Sequence, residues 1–261
     1  MADSSFSQNY RAKLFPGFVS QLEKTDPQFM ARFNNFAYDE VINAPLAEGQ
    51  KALDEKTRFM AILSVLLGLQ GIDEFHLMLP AALKMDVTPI EAREIVYQAT
   101  AYLGMGRVFP FLKVMNAIFD MSGVMLPLED QETTTEENRL AKGNQIQIDF
   151  FGEQLRENWK NGPQDRALIN KWLADNCFGD YYTRDGLTAS QREMITFCFI
   201  YAQGGCEPQL KAHALANMKL GNDKPFLYQI VSQCVPYVGY PRSLNALAVV
   251  DEAAIIFAKS E

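Results

Sequence analysis

YVGYPRSLNAL, residues 237–247, opens on a hexapeptide the chain has already used once, as YLGMGR at residues 102–107. The two stand 135 residues apart, and the offset holds backward, where Ile95, Val96 and Gln98 match Ile230, Val231 and Gln233. Earlier in each half the offset is 134. Leu53 matches Leu187, Arg58 matches Arg192 and Gly71 matches Gly205, so the second half gains one residue between Gly205 and the helix bearing His213. Self-similarity at a fixed period marks a duplicated structural unit. The copies are expected at 1–125 and 139–261. Residues 126–138 between them, built around the acidic, Thr-rich PLEDQETTTEEN of 127–138, read as a solvated linker.

Each copy reads as helical. Thr188-Ala-Ser-Gln191 fits a capping box, and the REMITFCFIYAQ that follows is apolar nearly all round, which predicts a buried helix ended by Gly204-Gly205. A second helix is predicted from about Pro208 to Leu220 with Gly221 as its stop, and a third from about Lys224 to Cys234. The first copy mirrors this. Asp54 can cap the run beginning Glu55, and Thr88-Pro-Ile-Glu91 is a capping box with proline at the first helical position. Period-2 strand patterns are missing. The fold class is all-α, two tandem helical domains packed as an intramolecular pseudo-dimer.

Composition narrows the function. With 261 residues, 48% of them apolar, the chain can bury a large core. A net charge of −8 argues against nucleic acid, whose phosphates need a basic face, and against electrostatic docking on membranes. The segment MADSSFSQNYRAKLF has no apolar h-region, so no signal peptide is expected, and no apolar run approaches the ~20 residues of a membrane span. Cys177, Cys198, Cys206 and Cys234 are irregularly spaced and suggest reduced thiols rather than a disulfide framework. A cytoplasmic protein is expected. Two histidines on different copies, without a cluster at ligand spacing, predict no metal site, and no motif calls for a cofactor.

One stretch concentrates the chemistry. GGCEPQLKAH, residues 204–213, holds one of the four cysteines and one of the two histidines. Taken with its surroundings, the order L-x-x-x-x-R-E from Leu187, a buried helix, GC-E-x-x-L-x-x-H-A, and then YVGYPRSLNAL resembles the carboxymuconolactone decarboxylase family, which includes γ-carboxymuconolactone decarboxylase and the alkylhydroperoxidase D-like peroxidases. The resemblance covers about 50–120 and 185–255 and is closest in the second copy. Arg184-Asp185-Gly186-Leu187 is similar to the family's Arg-Pro-Gly-Leu turn. It implies alkylhydroperoxidase D-like helical domains that assemble into trimers or hexamers. A fused pair would then form a homo-oligomer, a trimer with pseudo-hexameric symmetry.

The resemblance also implies a site. In the peroxidase branch a Glu and a His activate a C-x-x-C-x-x-x-H thiol pair. Here Cys206 and His213 match, Glu193 stands in the Arg-Glu position, and Gln209 replaces the second cysteine. A vicinal disulfide cannot form. The decarboxylase branch, without a redox pair, fits better, and implies cofactor-free acid/base chemistry on a small carboxylated lactone or related acid. Releasing CO₂ asks for a cation to hold a carboxylate, a proton carrier and a donor to an enolate-like oxygen. Arg242 is the natural cation, with Tyr237, Gln209 and Asn245 as further substrate-binding groups. His213 and Glu193 are the natural proton carriers. Cys206, at a helix start that can favour thiolate, completes the candidate catalytic set.

The first copy lacks most of these. Met78 stands at the His213 position, Phe59 at that of Glu193, and Ile72 or Gly71 at that of Cys206, whereas Arg107 and Tyr102 match Arg242 and Tyr237. That copy reads as structural, at most lending residues to a shared site. Plainer readings stand beside these: Cys206 packed in a Gly-rich turn, Glu193 as a first-turn acid, Arg242 serving a helix end, Cys177, Cys198 and Cys234 as core. Two other functions compete, a peroxiredoxin-like thiol peroxidase working through Cys206 and a non-catalytic oligomeric scaffold.

Overall fold

The structure, a computed structural model, describes residues 3–259 and contains no strand among them. Its fourteen α-helices are α1 (Ser5–Leu14), α2 (Leu22–Thr25), α3 (Pro27–Asn35), α4 (Glu55–Leu69), α5 (Ile72–Lys84), α6 (Pro89–Leu103), α7 (Met105–Met121), α8 (Arg139–Phe151), α9 (Asn158–Asn161), α10 (Ala167–Trp172), α11 (Ala189–Gln203), α12 (Glu207–Lys219), α13 (Lys224–Val238) and α14 (Tyr240–Phe257). Wider π-helical turns continue α3 over Phe36–Glu40 and α10 over Leu173–Tyr182. No described helix is long and apolar enough to cross a membrane.

Local chemistry sets the helix starts as the sequence predicts. The Asp54 carboxylate accepts from Thr57 N–H, and the capping boxes at Thr88/Glu91 and Thr188/Gln191 are both fully formed. Helix α12 begins at Glu207, and Gly221 just beyond it takes φ +91°. Helix α13 runs on past the predicted end at Cys234 to Val238, with Pro236 inside it. Proline removes one backbone bond but its φ suits a helix, and α13 is held by packing on α4 and α14 until Gly239 turns the chain at φ +81°.

The duplication becomes a pseudo-two-fold arrangement. Helices α4–α7 of the first copy correspond to α11–α14 of the second. The two buried helices α4 and α11 cross at the centre, where Gly68 faces Ala202, its own counterpart at offset 134. A Cβ at Gly68 would lie 2.8 Å from both the Ala202 Cβ and the Phe199 carbonyl oxygen, so the close crossing needs glycine there. A residue meeting its own equivalent is the mark of an isologous interface, here within one chain. Cross-packing obeys the same symmetry, with α13 against α4 and α6 against α11.

The linker is exposed but fastened. Arg93 donates to the Glu129 carbonyl at 2.6 Å, Asp185 N–H to the Gln131 carbonyl at 2.9 Å, and the Thr133 and Thr134 hydroxyls to the Thr183 and Gly179 carbonyls. Beside it, α8 lies against the Leu173–Tyr182 turns at backbone distance. A Cβ on Gly143 would collide with the Ala174 carbonyl, and one on Gly179 with the Arg139 carbonyl. This contact brings Phe151 and Tyr182 over the second copy's helices.

Candidate active site

Helix α11 is buried along its length, and its few polar side chains must find partners inside. Glu193, with no exposed surface, is the most demanding. Its Oε2 lies 2.7 Å from His213 Nδ1 on α12, and its Oε1 accepts the Tyr182 hydroxyl at 2.9 Å. Asn217, one turn beyond His213, ties the two helices together by donating to the Glu193 and His213 carbonyls at 2.9 and 2.8 Å. Asn222 donates to Asn217 Oδ1 at 2.8 Å, which fixes the amide's orientation. Glu193 and His213 thus meet from separate helices, and their backbones are held by the same asparagine.

Counting protons defines the rest of the network. A carboxylate only accepts, so Tyr182 spends its single proton on Glu193. The Tyr182 oxygen, 2.8 Å from both Thr196 Oγ1 and the Tyr102 hydroxyl, must therefore accept from each. Thr196 in turn accepts from Gln98 Nε2 at 2.8 Å. Gln98 Oε1 accepts Arg192 Nη1 at 2.7 Å, and Arg192 Nη2 reaches Glu94 Oε2 at 3.2 Å. The donors line up toward Glu193, and three of the residues, Tyr102, Gln98 and Glu94, come from the first copy. Burial, reinforced by the nearby Glu193 charge, pushes the Tyr182 and Tyr102 hydroxyls well above the usual tyrosine range, so both stay protonated donors.

Because Nδ1 faces Glu193, the carboxylate sets the ring's tautomer, and no hydrogen bond among the described residues occupies Nε2. The imidazole stands edge-on between two rings, Tyr102 at 5.5 Å and Phe151 at 5.3 Å between centroids. Cys177 lies beside the Tyr102 hydroxyl within the apolar cluster of Phe150, Phe178 and Tyr182. Burial pushes its thiol up to about 12.

The other expected site residues lie elsewhere. Cys206 occupies the cap position before α12, half-buried, in a narrow crevice with Gly204, Arg242 and Asn245. Arg242 donates from Nη1 to the Ala202 carbonyl in the last turn of α11, and its guanidinium covers Gly204. Gln209 is exposed. Tyr237, though carried by α13 of the second copy, reaches the node around Arg58 of the first, where its buried hydroxyl faces Tyr38 without a hydrogen bond of normal geometry. The structure brings Glu193 and His213 together, gathers Cys206, Arg242 and Asn245 into a second group, and sets Gln209 and Tyr237 apart from both. Among the described residues no group of three or more His, Cys, Asp or Glu is placed to hold a metal ion.

Tyr182 and Thr196, whose hydroxyls complete the bonding around Glu193, were not singled out in the sequence. Thr196 carried a signal, since it stands three residues after Glu193 as a second polar group on an otherwise apolar helix face. Tyr182 carried none, because it arrives through the π-helical turns.

The node around Arg58, on the opposite side of the pseudo-two-fold, holds the same frame with different contents. Arg58, Gln233, Tyr38 and Tyr237 stand where the second node has Arg192, Gln98, Tyr182 and Tyr102, and Arg58 Nε donates to Gln233 Oε1 at 2.8 Å. At the places of Glu193, Thr196, His213 and Asn217, however, are Phe59, Ile62, Met78 and Ala82, all but fully buried. Four polar groups have been exchanged together for apolar ones, so that node packs as core.

Comparison with known proteins agrees with this internal symmetry. A family model described as "Carboxymuconolactone decarboxylase family" matches the chain twice, over residues 27–117 and 167–252. The chain is also similar to 4-carboxymuconolactone decarboxylase of Acinetobacter baylyi (strain ATCC 33305 / BD413 / ADP1), with 26% identity over 121 residues, which is 45% of this chain and 87% of that protein. With the family model matched over more than half of its length, once in each half, the chain belongs to the carboxymuconolactone decarboxylase family as a tandem duplication.

Proposed function

We propose that the second copy is a cofactor-free enzyme of decarboxylase type, acting on a small carboxylated lactone or related acid. The observation that carries this reading is the buried Glu193–His213 contact at 2.7 Å, with no hydrogen bond among the described residues on the imidazole's second nitrogen. As the C–CO₂⁻ bond breaks, its electron pair passes to the carbon and delocalises onto the neighbouring carbonyl. A proton taken up from water at His213 Nε2 is delivered to that carbon, while Nδ1 stays on Glu193. Glu193 stabilises the charged imidazole and fixes its orientation, and Tyr182 holds Glu193. Tyr102 gives the site a residue from the first copy, so neither half would be complete alone. Arg242, placed with Asn245 and Cys206 at the end of α11, is at most an outer contact for the substrate's carboxylate.

The test is CO₂ release by the purified protein, begun with 4-carboxymuconolactone and extended to related lactone acids. Turnover is expected, and His213→Ala or Glu193→Gln should reduce it at least ~100-fold, whereas Cys206→Ser should leave it unchanged. Loss with Cys206→Ser, accompanied by peroxide reduction, would favour the thiol reading instead. Absence of turnover across the panel, with no effect of His213→Ala on any readout, would leave the scaffold role.

A further inference from the structure

The two copies keep an arginine at equivalent positions but complete it differently. Arg192 is enclosed. Its Nη1 donates to Gln98, and its Nη2 meets Glu94 at 3.2 Å and the Arg184 and Asp185 carbonyls at 2.7 and 3.0 Å. Arg58, 4% exposed, spends Nε on Gln233 and Nη1 on the Tyr10 hydroxyl at 2.8 Å. Its contact to Glu55 is long at 3.5 Å, and that carboxylate is 37% exposed and accepts the Tyr10 hydroxyl as well. Nη2 has no hydrogen-bond partner among the described residues, nor is it enclosed.

The reason lies in two substitutions between the copies. The equivalent of Glu94, the first-copy carboxylate that neutralises Arg192, is Gln229 on α13 of the second copy, and it faces Arg58. The turn whose carbonyls feed Arg192 is replaced by the 42–53 segment, and there the Lys51 carbonyl is taken by Gln229 Nε2 at 2.9 Å while Leu53 N–H binds Gln229 Oε1 at 3.2 Å. A buried guanidinium has lost its internal carboxylate, and the space has opened into a pocket of about 250 Å³. Arg58, Glu55 and Gln233 line it together with Ile42, Leu46 and Leu53. The volume is below the ~300 Å³ at which drug-sized ligands begin to fit, and the lining sets the Arg58 guanidinium, with Nη2 unspent, among aliphatic side chains and beside the partly exposed Glu55 carboxylate.

We propose that this pocket binds a small carboxylic acid with a short apolar tail, its carboxylate taking on Arg58 the place that Glu94 takes on Arg192. The charge-assisted bond from Nη2 holds the acid, and the aliphatic wall covers its tail. This site is separate from the Glu193–His213 pair and does not rest on the decarboxylase reading.

The test is calorimetric titration of the full chain with sodium butyrate and sodium benzoate against butyramide and benzamide. Saturable binding of one acid per chain is expected, at least about tenfold tighter than the matching amide, the ratio one charge-assisted hydrogen bond gives. Gln229→Glu supplies Arg58 with the carboxylate that Glu94 gives Arg192. It should weaken acid binding by a similar factor, with an unchanged or raised urea midpoint showing that the fold is intact. His213→Ala should bind butyrate as the parent does. Equal affinity for acid and amide, no saturable binding of either acid, full binding by Gln229→Glu, or loss of binding with His213→Ala would each overturn the proposal.

Discussion

Glu193 is the residue on which the site turns. A carboxylate without exposed surface is costly to bury unless it is paired and fully hydrogen-bonded, and here both oxygens are satisfied, one by an imidazole and one by a phenol. The direction of donation makes Tyr182 the more critical of the two tyrosines. Tyr182→Phe strips Glu193 of its only side-chain donor at Oε1 and leaves Tyr102 and Thr196 without their acceptor. It should lower stability by about 1–3 kcal/mol and kcat more than Tyr102→Phe does, because the latter removes only the outer donor. Urea midpoints and kcat for the two variants, measured side by side, check the order, and a larger loss with Tyr102→Phe would contradict it. Buried thiols carry a second prediction. Burial raises Cys177 and Cys234 from 9.0 to about 12, so the native state keeps protons there that the unfolded chain sheds. Stability is then complete below pH 9 and falls as pH climbs toward 12, by about 1 kcal/mol per pH unit for each thiol. The raised hydroxyls of Tyr102, Tyr182 and Tyr201 act in the same direction. Denaturant midpoints read between pH 7 and pH 11 should hold flat and then drop above 9, with a shallower drop in Cys234→Ala. A flat profile through pH 11 would be wrong for this core.

At the scale of elements, the central crossing of α4 and α11 fixes everything around it. Gly68→Ala would gain up to ~1 kcal/mol of helix propensity, but its methyl would strike a backbone oxygen and the Ala202 methyl at 2.8 Å. Overpacking of that kind costs ~1–3 kcal/mol, and neither helix can yield without moving the opposite copy. A net loss of about 1 kcal/mol is expected in the urea midpoint, against a gain for the same change at an exposed helical glycine such as Gly106. This level was the one most legible in the sequence. Capping boxes, glycine stops and the repeat all follow from local rules, and so do the helices they bound. The pairing of Glu193 with His213 was legible too, through the resemblance and through the loss of both from the first copy. Tyr182 was not, because π-helical turns shift the side-chain register by a fraction of a turn that no periodicity announces. The placing of Arg242 was not legible for a related reason. Its repetition as Arg107 already hinted at a helix-end role, and the bond to the Ala202 carbonyl is of that kind. Whether Arg242 points to a cavity or to a carbonyl depends on where α14 crosses α11, and that is tertiary information.

For the whole molecule, the pseudo-symmetry extends to its outer surface. Met105 and Phe109 in the first turns of α7 are 51% exposed each, and their equivalents at offset 135, Tyr240 and Leu244 on α14, are 63% and 61% exposed. Four large apolar side chains at matching places on two matching helices are more than scattered surface residues, and such a repeated patch marks a surface that associates. Because each chain presents it twice, related by its own internal two-fold, contacts made by one copy to a neighbour can be repeated by the other copy. A closed ring of three chains, the arrangement that the family resemblance implies, would bring these patches into contact. Light scattering on the purified protein should return three times the 29.4 kDa of one chain. Phe109→Glu combined with Leu244→Glu should release monomers whose far-ultraviolet circular dichroism matches the parent, since neither side chain belongs to the core. Either single change should leave half of the patches intact and give a concentration-dependent mixture. A monomeric parent protein, or a double variant that stays trimeric, would assign these residues no part in assembly and move the search to the exposed Ile255 and Ile256 at the other end of α14.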